Sequence, residues 1–198
     1  MTYKTTKYVL LLASGLFINT TWADDGSLSL LVQNCMSCHG PNGASLGPAT
    51  PTLASLNPST FINAMEEFRD DERPSTVMKY IAKGYTDEDY QVMANYFAKQ
   101  QPTAPQQSVD AEKVKRGAKL HQKYCKKCHD EGVYTTQPST LIVGQWIPYL
   151  RLTLDDFHTG IRELPKRVLK VMRTMVEIEG EKSLDDLVHF YASQAEQK

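Results

Sequence analysis

The strongest constraint on this chain is a motif that occurs twice. Cys35-Met36-Ser37-Cys38-His39 and Cys125-Lys126-Lys127-Cys128-His129 both read C-x-x-C-H and stand 90 residues apart. In this pattern two thiols add across the vinyl groups of a haem, and the adjacent His is held where its imidazole can bind the iron. A zinc ribbon also uses two C-x-x-C pairs, but about fifteen to twenty residues apart and with no need of a following His. A thioredoxin-like redox pair needs one C-x-x-C in a βαβ setting, which the sequence lacks. The four Cys of the chain all lie in the two motifs, so none remains for a disulfide. These residues predict two covalent haems c, one on Cys35 and Cys38 and one on Cys125 and Cys128, with His39 and His129 as proximal iron ligands.

Residues 1–23 read as a secretory signal peptide: Lys4 and Lys7 precede an apolar run from Tyr8 to Ile18, and Thr21-Trp22-Ala23 ends in a small residue. The run is too short to span a bilayer comfortably. Export to a bacterial periplasm follows, an oxidising compartment where paired thiols are occupied. Over the whole chain 22 basic residues face 23 acidic ones, and hydrophobic residues make up 41%. That balance excludes a nucleic-acid binder relying on excess positive charge, and it excludes a disordered tail.

A repeat extends beyond the motifs. The segment from Met78 to Phe97 matches Met172 to Tyr191 without a gap. Within it Tyr90, Met93, Ala94 and Phe97 sit at i, i+3, i+4 and i+7, and Leu184, Leu187, Val188 and Tyr191 repeat that stripe. Each predicts an amphipathic helix with one buried face. Thr86-x-x-Asp89 and Ser183-x-x-Asp186 read as the caps opening these helices. The chain is therefore expected to be all-α, with an N-terminal domain over 24–102, a polar, Pro-containing linker over 103–109 and a C-terminal domain over 110–198. Units this small have thin side-chain cores, which a covalent haem helps to fill.

The ligand opposite the proximal His decides the chemistry. A Met there makes the iron six-coordinate and raises its potential, which suits electron transfer, whereas an empty position permits catalysis. In the first domain Met65 and Met93 fall on apolar helix faces and read as core. Met78, following Arg73-Pro74-Ser75-Thr76-Val77, is the candidate ligand. In the second domain Met172 and Met175 lie one helical turn apart; Met172 precedes Phe190 by 18 residues, as Met78 precedes Tyr96, and register favours Met172 over Met175.

Pro51 stands twelve residues after His39, where its carbonyl could accept the Nδ1 proton of that ring and strengthen it as a donor to iron. Trp146 and Tyr149 suit either the second haem or a seam between domains. His121, His158 and His189 have no metal spacing and default to surface or propionate-contacting roles. Residues 24–102 carry five basic and ten acidic groups, and 110–198 carry fifteen and thirteen. Lys113, Lys115, Arg116, Lys119, Lys123, Lys126 and Lys127 crowd around the second motif, either orienting redox partners or forming a solvated face.

Cys35-x-x-Cys38-His39-Gly40, Thr76-Val77-Met78, Ile81-Ala82-Lys83-Gly84-Tyr85, Gly117-Ala-Lys-Leu-His121, Gly144-Gln-Trp146-x-Pro-Tyr-Leu150 and Phe190-Tyr-Ala-Ser-Gln194 together resemble the dihaem cytochrome subunit of flavocytochrome c sulfide dehydrogenase, itself similar to cytochrome c4. The resemblance implies two tandem class I cytochrome c domains related by a pseudo-two-fold axis. It also implies a larger FAD-containing partner that oxidises sulfide to sulfur, with electrons leaving through the two haems to a soluble periplasmic cytochrome c. FAD would belong to the partner, and this chain would not be catalytic on its own. A free cytochrome c4-type shuttle to a terminal oxidase is the alternative. A dihaem peroxidase would need one haem without Met, and a Met is at hand for both. Two segments depart from the cytochrome c4 pattern: Thr140-Leu-Ile-Val-Gly144-Gln145 lacks its Pro, and Arg162-Glu-Leu-Pro-Lys-Arg167 rearranges the loop before the second axial Met.

Overall fold

The computed structural model describes residues 24–103, 105–129 and 143–194; the signal peptide expected over 1–23 lies outside them. Among the described residues there are eight α-helices: α1 (Asp24–His39), α2 (Pro58–Arg69), α3 (Met78–Ala82), α4 (Asp87–Ala98), α5 (Ala111–Leu120), α6 (Ile147–Thr159), α7 (Lys166–Glu179) and α8 (Lys182–Ser193). No strand occurs among the described residues.

The first four helices share one core. Leu28, Leu31, Val32 and Cys35 form an i, i+3, i+4, i+7 stripe on α1, which packs on α4, while α2 packs on both α3 and α4. The predicted stripe on α4 is wholly buried: Tyr90, Met93, Ala94 and Phe97 join Phe61 and Met65 of α2 in the centre. Each large side chain there stabilises the unit by roughly 1.5–3 kcal/mol relative to exposure. Thr86 opens α4 with the expected capping box, its hydroxyl accepting from Asp89 N–H while the Asp89 carboxylate accepts from Thr86 N–H. Asn57 caps α2 in the same way, accepting from Ser59 N–H, with Pro58 at the first helical position.

The last four helices share a second core of Leu120, Ile147, Leu150, Met175, Leu187, Val188, Tyr191 and Ala192. Here α5 lies on α8, and Gly117 sets their approach: a Cβ at that position would collide with the Asp186 carbonyl oxygen and the Phe190 side chain. Beside that crossing the Arg116 fork binds both oxygens of the buried Asp186 carboxylate, at 2.8 Å each. The cap expected at Ser183 is corrected. Helix α8 begins at Lys182, two residues before the start that a Ser183 cap implies, and the Ser183 hydroxyl donates to Gly180 O from inside the first turn. Its first residue is the equivalent of Glu88, one position beyond the start of α4, and Ser183 is spent on satisfying a carbonyl. Between the cores, the described residues of 99–110 carry no helix and lead to Asp110, which caps α5 by accepting from Glu112 N–H and Lys113 N–H.

Candidate haem sites

Helix α1 brings the first motif together. Cys35 and Cys38 are one turn apart on it, with Cys35 half-buried against the core and Cys38 exposed, both as free thiols. Burial pushes the Cys35 thiol up to about 11. The helix ends at His39, and Gly40 turns the chain away with φ +78°, where a Cβ would strike the Ala44 carbonyl. His39 is only 7% exposed, and burial holds its ring below the usual imidazole range. Its Nδ1 lies 2.8 Å from Pro51 O, the contact anticipated from spacing. A carbonyl can only accept, so Nδ1 carries the proton and Nε2 presents the lone pair a metal needs.

The second motif repeats this arrangement with a different lead-in. Helix α5 passes into a π turn over His121–Cys125, where Lys126 N–H donates to His121 O at 2.8 Å. The extra residue per turn feeds Cys125 into a tight bend in which Cys128 N–H and His129 N–H both approach Cys125 O, at 3.1 and 3.0 Å. Cys125 is half-buried and Cys128 exposed, as in the first motif. The segment 130–142 lies outside the described residues.

The sulfur environments of the two sites differ. Cys35 Sγ sits 3.9 Å from Met93 Sδ, an apolar neighbour. Cys125 meets the Tyr191 hydroxyl, and burial drives both groups' proton affinities up. The same hydroxyl lies 3.1 Å from His121 Nδ1. Arg167 Nη2 reaches within 3.3 Å of Cys128 Sγ, bringing the start of α7 to the second motif.

Among the candidate axial ligands, Met65 and Met93 are buried core residues. Met78 is the first residue of α3, half-buried against the core, and its N–H is held by the Ser75 hydroxyl at 2.8 Å. On α7, Met175 is 2% exposed and belongs to the second core, whereas Met172, one turn earlier, is half-buried.

Other expectations resolve differently. His121 and His189, read as surface or propionate-contacting residues, are both 7% exposed, so the surface half of that reading is corrected. His121 packs on the rings of Phe190 and Tyr191, and His189 Nδ1 accepts from Asp110 N–H at 3.1 Å. Each is a polar residue drawn into the narrow crossing of α5 and α8, a pairing that single-helix periodicity does not register. Trp146 and Tyr149 contribute to the seam between the units: Trp146 Nε1 donates to Ser45 O and Tyr149 N–H to Pro48 O, both at 3.2 Å. Most of the basic cluster is neutralised, with Lys113 on Asp185, Lys115 on Glu112, Arg116 on Asp186 and Lys123 on Glu179. That pattern favours the solvated face over a partner-steering patch.

The donor set fits haem c. Among the described residues no three His, Cys, Asp or Glu gather to hold a bare ion, as a shared zinc site would require. A bound haem would supply a one-electron iron couple, and the chain would supply thioether attachment, an oriented imidazole and a thioether ligand.

No family model matches the chain. Cytochrome c4 of Azotobacter vinelandii is 30% identical over 145 residues, covering 65% of this chain and 69% of that protein. The cytochrome subunit of sulfide dehydrogenase from Chlorobaculum tepidum is 37% identical over 68 residues, 34% of this chain and 61% of that one. The crystal structure of reduced recombinant cytochrome c4 from Pseudomonas stutzeri superposes with a TM-score of 0.72 at 21% identity, over 87% of this chain and 99% of that chain. The two helical units are thus tandem class I cytochrome c domains serving electron transfer, and the chain belongs to the cytochrome c4 family of dihaem cytochromes c.

Proposed function

We propose that this chain is a periplasmic electron-transfer subunit that takes electrons from an FAD-containing dehydrogenase oxidising sulfide to sulfur and passes them to a soluble cytochrome c. In this reading residues 1–23 are removed on export, and the two domains span 24–102 and 110–198. Cys35 and Cys38 attach one haem, ligated by His39 and Met78. Cys125 and Cys128 attach the other, ligated by His129 and Met172. The observation that carries the electron-transfer reading is the proximal arrangement on α1: two thiols one turn apart, then an imidazole whose Nδ1 is pinned to Pro51 O. Half-buried Met78 and Met172 offer a thioether to each iron, closing both to substrate. Met175 is already committed to the core.

The likeness to a sulfide dehydrogenase cytochrome subunit supports the choice of donor. The free shuttle stands as a second reading, because the cytochrome c4 likeness spans 65% of this chain against 34%. Native purification separates the two. The dehydrogenase reading expects a stoichiometric flavoprotein that elutes with the cytochrome and reduces its haems on addition of sulfide. A lone dihaem protein, inert to sulfide in the periplasmic extract, would overturn it in favour of the shuttle.

A further inference from the structure

The seam between the domains places one side chain in a distinctive spot. Gln145, from the segment leading into α6, is only 5% exposed. Its Oε1 accepts from Thr52 N–H at 2.8 Å, and its Nε2 donates to Thr52 O at 3.0 Å. Thr52 N–H belongs to the same peptide group as Pro51 O, the acceptor for His39 Nδ1. One peptide of the first domain is therefore bonded at both ends, by the proximal imidazole on its oxygen and by a second-domain amide on its nitrogen.

Both partners of that peptide are held firmly. Ser45 N–H donates to Thr52 Oγ1 at 3.2 Å, and Leu53 N–H to Gly43 O at 2.7 Å, so the Pro51–Thr52 loop is braced from within. Gln145 is braced by the linker: Gln107 Nε2 donates to Gln145 O at 2.9 Å, and Gln107 Oε1 accepts from Ile147 N–H at 2.8 Å.

We propose that Gln145 is a positioning residue for the proximal ligand of the first haem, acting across the domain seam through the Pro51–Thr52 peptide. Accepting the Thr52 proton shifts the peptide toward its dipolar resonance form and makes Pro51 O a stronger acceptor, because hydrogen bonds in series polarise one another. A stronger acceptor draws the Nδ1 proton and gives the imidazole more anionic character, which raises its basicity toward iron. That favours the ferric state and lowers the potential of the first haem. The second domain thereby tunes the first without touching its iron, and the tuning lasts only while the seam is closed.

The inference rests on His39 ligating a haem, so its test uses the holoprotein after pyridine haemochrome assay confirms two haems per chain. Gln145→Leu removes both bonds to Thr52, and Gln145→Glu retains an acceptor for Thr52 N–H. Redox titration is followed through the hyperfine-shifted methyl signals of each haem, with thermal melts confirming folded protein. The expected result is an upward shift of the first haem's midpoint in Gln145→Leu, an unshifted second haem, and no upward shift in Gln145→Glu. An unshifted first haem in Gln145→Leu, a parallel movement of both haems, or equal upward shifts in the two variants would overturn the proposal. A wild-type protein with fewer than two haems would instead overturn the reading beneath it.

Discussion

The two domains carry the same motif on the same helical frame, yet they solve the space around it differently. In the first, the helix before the Cys pair is continuous, and the Cys35 sulfur faces Met93 within a core built on Phe61, Tyr90 and Phe97. In the second, a π turn precedes the pair, the sulfur faces the Tyr191 hydroxyl, and polar His121, Asp186 and His189 are buried nearby. The matched positions make the exchange explicit. Phe97 corresponds to Tyr191 in the repeat, and Leu31, four residues before Cys35, corresponds to His121, four before Cys125. Both domains carry hydrogen bonds and ion pairs, but among the described residues only the second buries a carboxylate, Asp186, on the Arg116 fork and sets an imidazole against a tyrosine hydroxyl beside its Cys pair. Repetition preserved the ligand-bearing frame and left the interior free to diverge.

The most demanding test of this parallel is at the sixth ligand, since Met78 opens a five-residue helix whereas Met172 lies within a fourteen-residue one. Met78→Ala and Met172→Ala are each expected to remove half of the near-infrared Met-to-iron charge-transfer band. Met175→Ala should keep the band while losing about 2–5 kcal/mol of stability. An intact band in Met172→Ala, with loss in Met175→Ala, would break the register between the domains.

Packing comes next. Phe97→Ala empties a wholly buried site stacked on Phe61 with ring centroids 5.8 Å apart, and should cost about 3–5 kcal/mol in denaturant unfolding. At the matched position, Tyr191→Phe removes only the hydroxyl and should cost about 0.5–1.5 kcal/mol. Equal losses from two substitutions so unequal in volume would contradict the contrast in interiors.

The smallest effect is electrostatic. Burial holds His189 below the ordinary imidazole value of about 6.5, so the unfolded chain takes up the proton first. Its contribution to stability is full above that value and is lost as the pH falls through it toward the lower folded value. Calorimetric melts between about pH 7 and 5 should therefore show the second domain weakening as the pH falls, and His189→Gln should flatten that slope. A slope unchanged by that substitution would remove His189 from the account.

Much of this was legible in the residues because covalent and helical chemistry is local. C-x-x-C-H spacing requires only a helical turn, and the α4 stripe requires only a 3.6-residue period. Even the bond from His39 to Pro51 could be anticipated, since Pro51 stands only twelve positions on in the chain. His121 and His189 were not legible, because their burial depends on how closely α5 meets α8 at Gly117, a distance set by two segments about 70 residues apart. Gln145 was visible only as part of Gly144-Gln-Trp146. Its partner lies 93 residues away in the other domain, and no period or spacing relates the two. The sequence by itself determined the two C-x-x-C-H motifs and the helical repeat, because each depends on neighbours within a turn or two. The tertiary structure alone decided which Met is spent on the core, which charges are neutralised, and which peptide couples the two domains, because those depend on what the folded chain brings against each side chain.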